Sequence, residues 1–234
     1  MSNTPPLSLI VYAAERETMT RDVFPALTHF GIRFRTYDRA DMAALEAGAA
    51  DALLMPGGWY FFDKQPETIE RIRAFVAAGG GYIGICCGAI NAVKLGLLNA
   101  EMISMGGLGP VDIEPVEGEH PILRGVARRS EKPWRTYDKF TMLRYNGWLM
   151  LLKDGARMLA AYDMDKRVAA IACAEFGRGR VVAFSPHPEG ASCAPGVFHD
   201  RDAHPLVYDG VAMGTAAMLA NAAAWCREAQ TGKG

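Results

Sequence analysis

Gly80-Gly81-Tyr82-Ile83-Gly84-Ile85-Cys86-Cys87-Gly88-Ala89-Ile90 is the stretch that decides the fold. An apolar strand runs into a glycine-flanked cysteine, and a helix-like segment follows. Glycine on both sides tolerates unusual backbone angles and removes side chains that would block a substrate. A thiol at a helix N-terminus also meets the positive end of the helix dipole, which favours thiolate. Far downstream, Val181-Val182-Ala183-Phe184-Ser185-Pro186-His187-Pro188-Glu189 carries the complementary chemistry. A second apolar strand delivers a histidine held between prolines, with a carboxylate close behind. Cysteine, base and orienting acid are the three parts of an activated-thiol site.

Outward from the cysteine, the first half of the chain alternates strand and helix. Leu7 to Tyr12 suits a buried parallel strand, Thr20 to Phe30 a helix broken by Gly31, and Ile32 to Thr36 a second strand. Asp41 to Ala47 reads as a short helix, and Asp51 to Met55 as a third strand ending at Pro56-Gly57-Gly58. Pro66 to Ala78 is the clearest helix. Pro66 suits its first turn, Ile69, Ile72, Phe75 and Val76 share one face, and Gly79 ends it. Gly81 to Ile85 feeds Cys86, and Ala89 to Leu98 forms the helix after it. This alternation predicts an α/β fold with a doubly wound, mostly parallel, flavodoxin-like sheet, whose sites lie at the carboxyl ends of its strands.

Asn99 to Ala172 is less regular. Val111 to Glu114 and Val168 to Ile171 read as strands, and Met142 to Leu152 as a strand or a hairpin around Asn146-Gly147. The region is expected to extend the sheet antiparallel. Arg180 to Phe184 is a late core strand and Leu206 to Cys226 a terminal helix. The expectation is a single domain over residues 1–234.

Composition narrows the function. The chain has 234 residues, 50% hydrophobic and 22% charged, with a net charge of -1. That is a globular balance, and the absence of a long basic run argues against a nucleic-acid partner. No apolar run reaches membrane-spanning length, and the start of the chain lacks a signal-peptide pattern. Five scattered cysteines suit free thiols in a reducing compartment, so a cytoplasmic location is expected.

Several residues compete for roles. Cys87 adjoins Cys86, but a residue one step past such an elbow turns toward the protein and offers its backbone N–H to an oxyanion. Cys173, Cys193 and Cys226 lack that context. His187 is the expected general base and Glu189 its orienting acid, although a loop acid facing solvent would read the same. Gly57 and Gly58, after a parallel strand, could leave N–H groups free for an oxyanion or could form an ordinary turn. Trp59, Tyr60, Phe61 and Phe62 could wall a substrate pocket, fold back on the core or form a dimer contact. Gly177-Arg178-Gly179-Arg180 resembles a nucleotide- or biotin-binding loop, but its place between two short strands is better explained by a hairpin turn. Cys193, His199 and His204 fit no zinc-ligand spacing, so no metal is expected. Glu15 and Glu17 could approach the thiol or serve as surface residues.

Met55-Pro56-Gly57-Gly58, Gly84-Ile85-Cys86-Cys87-Gly88 and Pro186-His187-Pro188-Glu189, in this order, resemble the class I glutamine amidotransferase superfamily. The resemblance spans Leu7 to about Ala191. It implies a triad of Cys86, His187 and Glu189, with Gly58 and Cys87 supplying oxyanion N–H groups. Ile72 to Cys86 and Phe184 to Glu189 are most similar to the branch resembling the N-terminal domain of biotin–protein ligases. Two departures stand out. The family usually carries a glutamine four residues after the nucleophile, where this chain has Ile90, and neither a synthetase nor a biotin ligase catalytic domain is recognisable. The ThiJ/PfpI group is a more distant likeness, in which Glu15 or Glu17 would pair with the cysteine.

The expected function is therefore a cysteine-nucleophile hydrolase or acyltransferase acting on an amide or ester carbonyl of a small molecule. Gly57, Trp59, Tyr60 and Ile90 are the expected substrate contacts, and no cofactor is required. A non-catalytic metabolite-binding or regulatory module of the same fold, and a ThiJ/PfpI-like thiol protein acting on reactive carbonyls, are the alternatives. A homodimer through the aromatic loop is compatible with this reading.

Overall fold

The computed structural model describes residues 5–104, 106–126, 139–189, 198–199, 205–206 and 213–232. The strands are β1 Ser8–Tyr12, β2 Thr18–Met19, β3 Arg33–Tyr37, β4 Ala52–Met55, β5 Gly57–Gly58, β6 Gly81–Ile85, β7 Ala100–Ile103, β8 Leu108–Pro115, β9 Phe140–Tyr145, β10 Leu149–Leu152, β11 Ala156–Tyr162, β12 Asp165–Phe176, β13 Gly179–Phe184, β14 Phe198–His199 and β15 Pro205–Leu206. The helices are α1 Val23–His29, α2 Pro66–Ala77, α3 Cys87–Lys94 and α4 Met213–Thr231.

The inner strands are apolar at nearly every position because both of their faces are covered. Period-two alternation sends successive side chains to opposite faces. Leu9, Val11, Leu54, Ile83, Ile85, Val182 and Phe184 join α1 and α4 in one core. Ile10, Tyr12, Leu53, Met55, Tyr82, Val181 and Ala183 join α2 and α3 in the other. The result is a helix–sheet–helix sandwich.

The main sheet runs β3-β1-β4-β6-β13-β12-β11-β8-β9, with β10 pairing β12 and β7. Pairings from β3 through β1, β4 and β6 to β13 are parallel. The order places the chain's second main-sheet strand outside its first, and the next ones on the other side, which is the flavodoxin-like winding. Its switch point lies between β1 and β4, and such sheets bind ligands beyond the strands' carboxyl ends. From β13 outward every pairing is antiparallel. The expected doubly wound sheet with an antiparallel extension is thus the fold observed.

Some local expectations change. Asp41–Ala44 forms a 3-10 turn instead of a short α-helix. α3 begins at Cys87, two residues before the predicted start. β9 and β10 do not form a hairpin. Asn146 takes a left-handed φ of 51°, and the flanking strands part company, β9 pairing β8 and β10 pairing β7 and β12. Gly147 passes so close to the end of β13 that a Cβ there would lie 2.7 Å from the Ser185 carbonyl oxygen. Gly177-Arg178 does form the tight turn between β12 and β13. Leu206 lies in β15, paired with Phe198, so the terminal helix does not start there. Among the described residues, no helix is long and apolar enough to cross a membrane.

Candidate active site

Cys86 sits between β6 and α3 with φ 51° and ψ -106°, a conformation a non-glycine residue adopts only at a cost. Two anchors hold it there. Its N–H donates to the Phe184 carbonyl at 2.8 Å. Gly88 lets the start of α3 pack directly on the end of β4, since a Cβ there would overlap the Met55 carbonyl oxygen. The strain turns the Cys86 side chain toward the sheet's carboxyl edge, where its Sγ lies 3.7 Å from the Tyr145 carbonyl oxygen.

His187 follows β13 and bridges to β9, its N–H donating to the Leu143 carbonyl at 2.8 Å. Its Nδ1 and Glu189 Oε1 are 2.8 Å apart, and both side chains are almost wholly buried. That bond leaves Nε2 as the free ring nitrogen, buried and without a hydrogen-bond partner. The Cys86 thiol lies within interaction range of this ring, and its Sγ also faces the Tyr145 carbonyl oxygen. Burial alone would lower the histidine's pKa, but Glu189 and then the Cys86 thiol outweigh it and hold the pKa well above its ordinary value. Gly57 abuts the ring, because a Cβ there would come within 2.5 Å of Cε1. The structure therefore brings Cys86, His187, Glu189 and Gly57 together.

Gly58 and Cys87 also converge. The Trp59 N–H donates to the Glu17 carbonyl at 2.7 Å in the short ladder of β2 and β5. Antiparallel alternation then turns the Gly58 N–H away from that ladder. The Cys87 N–H, at the start of α3, has no acceptor within its own helix. Both residues line one cavity of about 240 Å³ with Cys86.

The cavity's other walls are Arg16 to Met19, Trp59, Phe61, Ile90, Tyr145, Asn146 and Trp148. The aromatic loop divides by alternation. Trp59 and Phe61 face the cavity, Trp59 being 75% exposed, while Tyr60 and Phe62 are buried against Tyr12. Tyr60 is therefore not a cavity contact; its hydroxyl donates to the Pro56 carbonyl at 2.6 Å. Gly57 touches the His187 ring and is likewise not part of the lining. Glu15 is exposed. Glu17 reaches the cavity, but its carboxylate takes hydrogen bonds from Arg39 at 2.7 Å and Tyr12 at 3.2 Å. Neither acid is hydrogen-bonded to Cys86. Among the described residues no cluster of three or more His, Cys, Asp or Glu could hold a metal, and Cys193 and His204 lie outside the described residues.

Sequence reasoning missed the wall formed by Tyr145, Asn146 and Trp148. The Ser185 hydroxyl donates to the Trp148 carbonyl at 2.5 Å and so must accept from Tyr162, 2.7 Å away. This relay fastens the β9–β10 turn to the end of β13. The one available signal was Asn146-Gly147 itself. Asn91 was also missed, a lone amide inside the apolar run Ala89-Ile90-Asn91-Ala92-Val93.

No family model matches the chain, and no curated protein matches its sequence. Solved structures do match. One chain of PurLQS from Thermotoga maritima is 16% identical with a TM-score of 0.66, covering 93% of this chain and 99% of that one. A candidate GMP synthase subunit from Thermoplasma acidophilum is 15% identical with a TM-score of 0.62, over 98% of this chain and 100% of the other. A glutamine amidotransferase from Thermotoga maritima is 16% identical with a TM-score of 0.56, over 80% and 77%. The fold is thus the flavodoxin-like one of the glutamine amidotransferases.

Proposed function

We propose that the protein is a cysteine-dependent hydrolase or acyltransferase that acts on an amide or ester carbonyl of a small molecule. The observation that carries this reading is the buried His187–Glu189 pair set beside a thiol on a strained elbow, at the floor of a cavity. Cys86 Sγ attacks the carbonyl carbon with its proton already resting on His187 Nε2, the charge that Glu189 stabilises on the ring. The Gly58 and Cys87 N–H groups receive the developing oxyanion. His187 then protonates the departing amine or alkoxide, leaving an acyl-thioester on Cys86. Water or another acceptor, deprotonated by His187, releases the acyl group. Glu189 holds the ring in the tautomer that leaves Nε2 facing the thiol.

The ThiJ/PfpI-like alternative loses ground because Glu17 is already engaged by Arg39 and Tyr12. The likeness to the N-terminal domain of biotin–protein ligases stays within this proposal as a sequence likeness and brings no ligase step. The reading takes the chain as one catalytic domain working in the cytoplasm on a small molecule.

Ile90 in the cavity wall, with Trp59, Phe61 and Trp148, favours a less polar acyl group than that of free glutamine. Buried polar groups left unpaired there would cost roughly 1–3 kcal/mol each. Ammonia release from glutamine should be negligible beside Cys86-dependent hydrolysis of less polar amides or esters, with Cys86→Ala as control. Robust Cys86-dependent glutaminase activity of the protein alone would restore the ordinary amidotransferase reading.

A further inference from the structure

The loop carrying Gly58 is gripped from the first turns of α3 by side chains that the proposed chemistry does not use. The Tyr60 carbonyl accepts from Cys87 Sγ and from Asn91 Nδ2, each at 3.1 Å. The same Nδ2 donates to the Cys87 carbonyl at 3.1 Å, tying the clamp to its own helix. At the other end of the loop the Tyr60 hydroxyl closes onto Pro56. Asn91 and Cys87 are both almost wholly buried.

This is an expensive way to pack a helix. Asparagine is a poorer helix former than the alanine and leucine that suit such a position, and a buried amide is costly unless bonded. Here the amide nitrogen serves two carbonyls, one of them in the catalytic-side loop. Burial pushes the Cys87 thiol up to about 12, so it stays protonated and remains a donor. It is thus unfit as a rival nucleophile and fit as a clamp.

We propose that Asn91 and the Cys87 side chain are positioning residues. They lock the Gly57–Tyr60 loop against the start of α3, so that the Gly58 and Cys87 N–H groups aim at one point beside Cys86 before any substrate arrives. The proposal rests on the hydrolase reading. It assigns the clamp to the oxyanion and not to the thiol. The two can be separated, because alkylation by iodoacetamide needs a reactive sulfur but develops no oxyanion, whereas acylation by an ester needs both.

The test compares wild type, Asn91→Leu, which keeps the branching but removes the donors, and Cys87→Ala. Iodoacetamide labelling of Cys86 and the p-nitrophenol burst from p-nitrophenyl butyrate are measured on each. Removing an oxyanion donor outright costs about 10²–10³ in rate, so misaiming it through Asn91→Leu should cut the burst rate and kcat by about tenfold to thirtyfold. KM and Cys86 labelling should stay within about twofold. Cys87→Ala, which leaves Asn91 on Tyr60, should show a smaller loss of the same kind. If Asn91→Leu does not fold, Asn91→Ala takes its place. A burst that persists undiminished in Asn91→Leu, or labelling that falls in step with it, overturns the clamp. A wild type that labels at Cys86 yet gives no Cys86-dependent burst rejects instead the hydrolase reading, and the clamp's role with it.

Discussion

The parallel and antiparallel halves of the sheet contribute to the site in different ways. Strands β4, β6 and β13 each lead, within three residues, to one that the proposed chemistry uses: Gly58, Cys86 and His187. Their backbones are fixed by contacts that admit no side chain, as at Gly88 against Met55 and Gly57 against His187. The antiparallel half offers a wall: Tyr145, Asn146 and Trp148 at the β9–β10 turn, held by the Tyr162–Ser185–Trp148 relay. On the proposed reading the reactive groups come from the parallel half alone, and the antiparallel half adds to the cavity wall that Trp59, Phe61 and Ile90 begin.

Substitutions on the two sides should therefore fail differently. Glu189→Gln should have the largest effect, lowering kcat by roughly 10³–10⁴-fold through loss of the His187 tautomer. It should also change stability with a definite sign. The folded-state pKa of His187 lies well above its ordinary value of 6.5. Its charged form thus stabilises the fold fully below about 6.5, and that contribution fades as pH rises through the folded value. Thermal melts across pH should find Glu189→Gln most destabilised on the acid side and nearest to wild type at high pH. A deficit that grows with pH would contradict the assignment.

Gly57→Ala comes next. The added methyl must push the His187 ring aside, and a displacement on that scale costs on the order of a hundredfold in rate. Circular dichroism should show the fold retained, with kcat and not KM carrying the loss. Equal losses in both would move Gly57 from the reactive half to the binding half. Trp148→Ala on the antiparallel side should be mildest. It should raise KM for apolar esters by about tenfold while kcat stays close to wild type. A collapse of kcat in that variant would erase the distinction between the halves.

The same division explains what could be read from the chain. The parallel strands were legible because apolar runs alternate with helices at short intervals, and because Gly84 to Gly88 and Pro186 to Glu189 put chemistry directly at strand ends. The antiparallel region was legible only as strands. Asn146-Gly147 carries the local signature of a hairpin, yet the strands on either side pair elsewhere, since the Gly147 backbone must slip past Ser185. Turn chemistry reports the bend and is silent on the partners. In the aromatic loop all four residues looked alike, and only the pleat of the chain separates Trp59 and Phe61 from Tyr60 and Phe62. Asn91 was invisible for a related reason: its partners, Tyr60 and Cys87, are carbonyls, and carbonyls leave no mark in a sequence.

The central claim is that Cys86 is the activated thiol and His187 its base, and differential alkylation tests it most directly. Burial pushes the thiols of Cys87, Cys173 and Cys226 up to about 12, 11 and 12. Folded protein treated briefly with iodoacetamide at neutral pH should carry its label on Cys86 well before those three, as read by peptide mass spectrometry. His187→Ala should slow that labelling by about tenfold or more while leaving the others unchanged. Labelling of Cys86 no faster than that of the buried thiols, or indifferent to His187, would contradict the account.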